Sequence, residues 1–213
     1  MTDPITRELR EHYARTFEEH GPTIQGVDWG TDDERLKLRY EKMAAVIEPA
    51  AGPAPSLLDV GCGFGGLLGY LEERGAAVAY TGIDVVPSMI EHASRAFPSA
   101  EWVCGDIFEF TPGRQFDYVV CNGILTQKLT ATVPEMDAFA DRLIRVLMDL
   151  CARGVAFNVM STQVNFRADN LYYRDPVELL ASCLALTPRV RLDHLYPPLY
   201  EYTMYLGKPD PPR

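Results

Sequence analysis

Between Ser56 and Met160 short apolar runs alternate with amphipathic ones, and this alternation restricts the chain more than any other feature of its sequence. Ser56–Val60, Ala77–Ile83, Glu101–Cys104, Phe116–Cys121 and Val155–Met160 read as strands. The first opens into a helix that runs to about Arg74, with Gly75 as the residue beyond its end. Pro87–Ala96 reads as the next helix, with proline in its first turn, and a long amphipathic helix begins at Pro134 and is stopped by Gly154. Strands separated by helices imply a parallel sheet with right-handed crossovers and helices on both faces. The tail breaks the rule. Val190–Leu195 and Tyr200–Leu206 are strands joined by a turn containing Pro197 and Pro198, a connection short enough only for an antiparallel pair.

The segment before the alternation is helical. Thr31-Asp-Asp-Glu34 has the form of a capping box, and Leu36, Tyr40, Met43 and Ile47 follow at helical spacing on one face. The proline-rich stretch Pro49–Pro55 cannot continue a helix and reads as a linker. Residues 1–55 are therefore expected to form a helical cap or lid, and 56–213 the main domain.

Composition narrows the partners. With 30 acidic against 20 basic residues the chain carries a net charge of -10, and no cluster of Lys and Arg stands out along it. Nucleic acid, whose binding is driven by cations that displace counterions, is not expected as a partner, nor is an anionic membrane. The longest apolar candidate, Leu57–Leu71, holds Asp59 and five glycines and is no membrane span, and the polar N-terminus is unlike a signal peptide, so a cytoplasmic location is expected. The five cysteines (62, 104, 121, 151, 183) are odd in number with no C-x-x-C pair, and no His/Asp/Glu set has ligand spacing, so neither a disulfide framework nor a metal is expected.

The chemistry concentrates in Leu57-Leu-Asp-Val-Gly-Cys-Gly-Phe-Gly-Gly-Leu67. A strand, a glycine turn and a helix start let backbone approach a nucleotide-type ligand at a helix N-terminus. Gly61, Gly63 and Gly66 also match a dinucleotide fingerprint, which leaves a nicotinamide-binding oxidoreductase open as an alternative. Asp84 ends the second strand about 20 residues on, where an acid suits ribose hydroxyls, and Asp106 follows the third strand.

Together these segments resemble the class I S-adenosylmethionine-dependent methyltransferases over about Ser56–Lys208. The resemblance implies a Rossmann-like α/β sheet of seven strands, mostly parallel, with a C-terminal antiparallel hairpin, helices on both faces and an N-terminal helical cap. It implies S-adenosylmethionine as cofactor, held by Asp59, Gly61, Cys62 and Gly63 at the glycine turn, Asp84 and Val85 at the ribose, Asp106, Ile107 and Phe108 at the adenine, and Asn122 and Gly123 beside the methionine end. Acids around a sulfonium are physically sensible, whereas Asp59 would repel a pyrophosphate. Family N-terminal segments fold over cofactor and acceptor, so Tyr13, His20 and Trp29 are expected to line a lid and Arg39 to pair with the cofactor's carboxylate. The amide-methylating motif Asn/Asp-Pro-Pro-Tyr/Phe is replaced here by Asn122-Gly-Ile-Leu125, which leaves an oxygen or nitrogen of a small metabolite as the acceptor, with a natural-product or sugar pathway as the expected setting. A domain that binds the cofactor without turnover is the remaining alternative. His20 and Tyr172 are the first candidates for a general base, with Asp117 and Asn158 behind them, because only an acceptor that loses a proton needs one. Tyr173, Tyr196, Tyr200, Tyr202 and Tyr205 are candidate walls of the acceptor pocket.

Overall fold

The computed structural model describes residues 3–48, 52–195 and 200–208. Strands β1 (Ser56–Val60), β2 (Ala79–Asp84), β3 (Glu101–Cys104), β4 (Phe116–Cys121) and β5 (Cys151–Ser161) are parallel. Beyond β5 lies β8 (Glu201–Gly207), antiparallel to it and to β7 (Val190–Asp193) at the edge. The order is β3-β2-β1-β4-β5-β8-β7, and a two-residue strand, β6 (Tyr173–Arg174), pairs with the end of β5. The strand order reverses between β1 and β4, and an open α/β sheet places its binding crevice at such a reversal.

The strands alternate as a sheet covered on both faces must. Leu58, Val60, Val119, Cys121, Val155, Phe157 and Val159 belong to one core, with α5 (Val133–Leu150) and α6 (Pro176–Leu184) over it. Leu57, Tyr118, Val120, Ala156 and Tyr205 belong to the other, covered by α2 (Asp33–Ala44) and α3 (Gly66–Glu73). Helix α5 presents Met136, Phe139, Ala140, Leu143, Ile144, Leu147 and Met148 at helical spacing, all buried. Each of the six larger of these side chains stabilises by about 1.5–3 kcal/mol on leaving water. α4 (Pro87–Ala96) packs on β2 and β3, and α1 (Pro4–His20) crosses α4.

Several local readings are corrected. Thr31 does not cap α2: Asp32 does, its side chain accepting from Glu34 N at 3.1 Å. A capping box instead opens α5, where Thr132 and Glu135 satisfy each other's amides. Gly154 does not stop α5. The helix ends at Leu150, Cys151 is already extended, and Gly154 lies inside β5, where its missing side chain admits Val46 and Tyr118. Residues 49–51 of the linker and the turn with Pro197 and Pro198 lie outside the described residues, as does Tyr196. No helix among the described residues is long and apolar enough to cross a membrane. Strand pairing also gathers cations that the linear sequence disperses: Arg153, Arg189, Arg191 and Lys208 line a groove where β5 begins and β8 ends.

Candidate functional site

Where β1 gives way to α3 the backbone needs three left-handed residues, and glycine supplies them: Gly61 at φ 75°, Gly63 at 55° and Gly65 at 89°. The turn is pinned to the neighbouring strand end. Gly61 N and Cys62 N donate to Ile83 O at 2.9 and 3.2 Å, and Gly63 N donates to Asp84 Oδ2 at 2.9 Å. The other carboxylate oxygen of Asp84 accepts from Val86 N at 2.9 Å, fixing the start of α4. Asp106, after β3, accepts from Phe108 N at 3.0 Å in the same manner.

These turns floor a cavity of about 1000 Å³, its open mouth included, lying at the carboxyl ends of β1, β2 and β4. Asp59, Asp84 and Asp106 all line it, together with Gly61, Cys62, Gly63, Val85, Ile107, Phe108, Asn122 and Gly123. The roof comes from the N-terminal segment: Leu9 and Tyr13 of α1, Val27 and Trp29 of the following turn, Leu36 and Tyr40 of α2. Among the described residues the lining contains no Lys, Arg or His. Phe108 is braced by Phe139, with ring centres 5.4 Å apart, and by the Arg142 guanidinium 3.8 Å above it. Arg142 also pairs with Asp3, which caps α1, so the base of the roof is fastened to α5.

The electrostatics are those of buried acid without a cation. Asp59 is 2% exposed, and burial pushes its carboxyl up to about 7, although Tyr80 donates its hydroxyl to Oδ2 at 2.5 Å. Its Oδ1 is buried with no partner, and so is Asn122 Oδ1. A buried acceptor left unpaired is costly unless something supplies a donor. Burial also raises Asp84 and Asp106 above the ordinary carboxylate range, against the amides that donate to them. Burial keeps the Tyr13 phenol protonated, with the charges of Asp28 and Asp84 adding to the effect.

The remaining expectations scatter. His20 ends α1 at the surface, 3.7 Å from Glu19, and does not line the cavity. Tyr172 is fully buried with its hydroxyl on Asp137 at 2.6 Å, outside the cavity, and burial drives it further from ionisation. Asp117 accepts from Ser56 N and Oγ at the opposite end of β1. Arg39 does not line the cavity either: Glu201 takes its Nε and Nη2, although Nη1 remains buried and unpartnered. Asn158 lies behind the wall and bridges Gly123 N to Glu201. Tyr202 and Tyr205 are buried and spend their hydroxyls on Arg174 O and Lys42 O; the Tyr173 hydroxyl receives Ala168 N, and that of Tyr200 receives Asn165 Nδ2. None of these four tyrosines lines the cavity.

Sequence reasoning missed Leu36 and Tyr40 as cavity residues, since a helical apolar stripe does not distinguish core from cavity wall. It also missed Tyr80 as the partner of Asp59. The available signal for Glu201 was an acid opening a strand whose other residues are uncharged.

A methyltransferase-domain family model matches residues 57–149. A methyltransferase of Mycobacterium tuberculosis is 35% identical over 159 residues, which is 72% of this chain and 93% of that protein. Trans-aconitate 2-methyltransferase of an Enterobacter species is 31% identical over 114 residues, and the chain spans only 42% of its length. The crystal structure of the plantazolicin methyltransferase BpumL, solved with a pentazolic desmethyl analogue and S-adenosylhomocysteine, has the same fold, with a TM-score of 0.62 at 13% identity over 95% of this chain and 98% of that one. The mycobacterial relative, matched across nearly its whole length, and the glycine turn at the reversal of a sheet that ends in an antiparallel pair lead to one family: the chain belongs to the class I S-adenosylmethionine-dependent methyltransferases.

Proposed function

We propose that the chain moves the methyl group of S-adenosylmethionine to an oxygen or nitrogen of a small metabolite that is uncharged or carries an amine. The observation that carries this reading is the lining of the cavity: Asp59, Asp84 and Asp106 face it and, among the described residues, no Lys or Arg does. Such a lining favours a cationic donor and gives a carboxylate or phosphate acceptor no counter-charge. The acidic net charge argues in the same direction against a nucleic acid. The plantazolicin methyltransferase, solved with a pentazolic desmethyl analogue, shares the fold, and a natural-product acceptor here is in keeping with the apolar roof.

The residues present fit the cofactor. The unpartnered Oδ1 atoms of Asp59 and Asn122 suit an ammonium or sulfonium end. Asp84, tied to the glycine turn through Gly63 N, suits the ribose, and Asp106 beside the braced Phe108 suits adenine. Bound there, the cofactor supplies an electrophilic methyl group. The protein's part is alignment and exclusion of water: an in-line displacement needs reacting atoms about 3–3.5 Å apart in a dry site. Leu9, Val27, Trp29 and Leu36 provide the dry roof, and the Tyr13 phenol, held protonated, positions an acceptor heteroatom by a hydrogen bond without acting as base.

Calorimetric titration with S-adenosylmethionine, S-adenosylhomocysteine and NAD tests the donor site: the first two bind and NAD does not. A mass-spectrometric screen of alcohols, amines and carboxylic acids then tests the acceptor class. Methyl esters as the sole products would overturn the uncharged-or-amine reading.

A further inference from the structure

A buried polar chain closes on itself behind the cavity wall. Glu201, 1% exposed, accepts from Arg39 Nε at 3.0 and 3.1 Å and from Nη2 of the same guanidinium, and also from Asn158 Nδ2 at 2.8 Å. Asn158 Oδ1 accepts from Gly123 N at 2.8 Å. The guanidinium carbon of Arg39 sits 4.4 Å from the centre of the Trp29 ring. The far edge of that ring fills the space a Cβ on Gly123 would need, and Gly123, at φ 92°, has none. Five residues thus form one circuit: Glu201, Arg39, Trp29, Gly123, Asn158 and back. Trp29 and Gly123 line the cavity; Glu201, Arg39 and Asn158 do not.

A carboxylate buried this deeply is tolerated only because donors surround it, and the packing they impose is specific. We propose that Glu201 is the positioning residue of the transfer site: through Arg39 and Asn158 it sets Trp29 and Gly123 as one rigid wall, so cofactor affinity depends on a carboxylate that never touches cofactor. This rests on the reading of the cavity given above. The circuit joins α2 to β4, β5 and β8, so seating of the N-terminal roof and order in the loop after β4 are set by one charge.

The test uses the full chain labelled with fluorotryptophan. Its two tryptophans, Trp29 and Trp102, give separate fluorine NMR signals, assigned by a Trp29→Phe variant. S-adenosylhomocysteine is the probe, so no acceptor is required. In Glu201→Gln the amide nitrogen faces donors and must break one link of the circuit. The Trp29 signal then moves in the free protein, and probe affinity falls by about tenfold or more. In an Arg39→Met background the same substitution costs less than in the wild type, because the route through Arg39 is already cut and only the one through Asn158 remains. Wild-type affinity and an unmoved Trp29 signal in Glu201→Gln would overturn the proposal, as would an equal loss in both backgrounds. If Glu201→Gln does not fold, Arg39→Lys carries the same test: it keeps the charge, loses the planar face, and must move the Trp29 signal. A wild-type Trp29 signal that ignores probe bound by calorimetry would instead refute the cavity reading itself.

Discussion

S-adenosylmethionine should bind about tenfold more tightly near pH 8 than near pH 6, and Asp59 should account for the difference. Burial lifts its carboxyl to about 7, the Asp84 charge adds to that, and the Tyr80 hydroxyl only partly offsets it. About one tenth of the free protein therefore carries an ionised Asp59 at pH 6 and about nine tenths at pH 8. A cationic ligand selects the ionised form, so affinity follows that fraction and binding near pH 7 releases a proton from Asp59. The sign for stability is opposite. Because the folded value lies above the ordinary one of about 3.9, the acid favours the fold while protonated, and that contribution is lost as pH rises from about 4 through 7. Calorimetry in two buffers of different ionisation enthalpy counts the proton, and thermal melts follow the stability. Asp59→Asn is the control: its amide oxygen still accepts from Tyr80, yet the variant has nothing to titrate. The ligand's own amine titrates alike for both proteins, so the difference between them belongs to Asp59. An Asp59→Asn protein whose binding has the same pH slope as the wild type would refute the argument.

Three further outcomes follow from positions away from the ligand. His20→Ala and Tyr172→Phe should leave S-adenosylhomocysteine affinity within about twofold of wild type, while Tyr172→Phe loses about 1 kcal/mol in urea unfolding because Asp137 loses its buried donor. Gly82→Ala would place a Cβ 2.6 and 2.7 Å from Trp102 ring carbons and 2.8 Å from Cys62 Sγ, so its denaturation midpoint should fall by an overpacking cost of about 1–3 kcal/mol; an unchanged midpoint would contradict the packing described. Phe157→Ala, at a fully buried position in the middle of the sheet, should cost about 3–5 kcal/mol, read by the same measurement.

The sheet was legible because its causes are local. Strand β1, the glycines after it and the acid closing β2 each announce themselves within a few residues, and the resemblance they carry leads to the right cofactor class. Asp59, Asp84 and Asp106 meet in one cavity because parallel strands deliver their carboxyl ends to a single edge. What was illegible is whatever depends on distant segments. Arg39 carries no mark that its partner lies 162 residues later, so it was assigned to the cofactor and the structure gives it to Glu201. His20 is named as a candidate base without any partner in the linear sequence, and the end of α1 leaves it at the surface. Tyr172 carries no mark of burial in the linear sequence, but the pairing of Tyr172 N with Thr126 O pulls it into the core. The dispersed cations at 153, 189, 191 and 208 are neighbours only once β5, β7 and β8 pair.

The tie between Arg39 and Glu201 has a consequence for how the protein is made. The glycine turn, Asp84 and Asp106 have all left the ribosome by the time Phe108 does, so a nascent chain holds the floor of the cavity early. Its roof is completed later: α1 can rest on α4 and α2 on α3, but α2 is also held by Glu201, by Asp193 through Lys42 and by Tyr205, all in the last two strands. The polar anchoring of the first helices therefore waits for the final strands, and a chain arrested before residue 201 should hold its roof less firmly than the finished chain. Cofactor affinity is thereby tied to strands that come last in the chain.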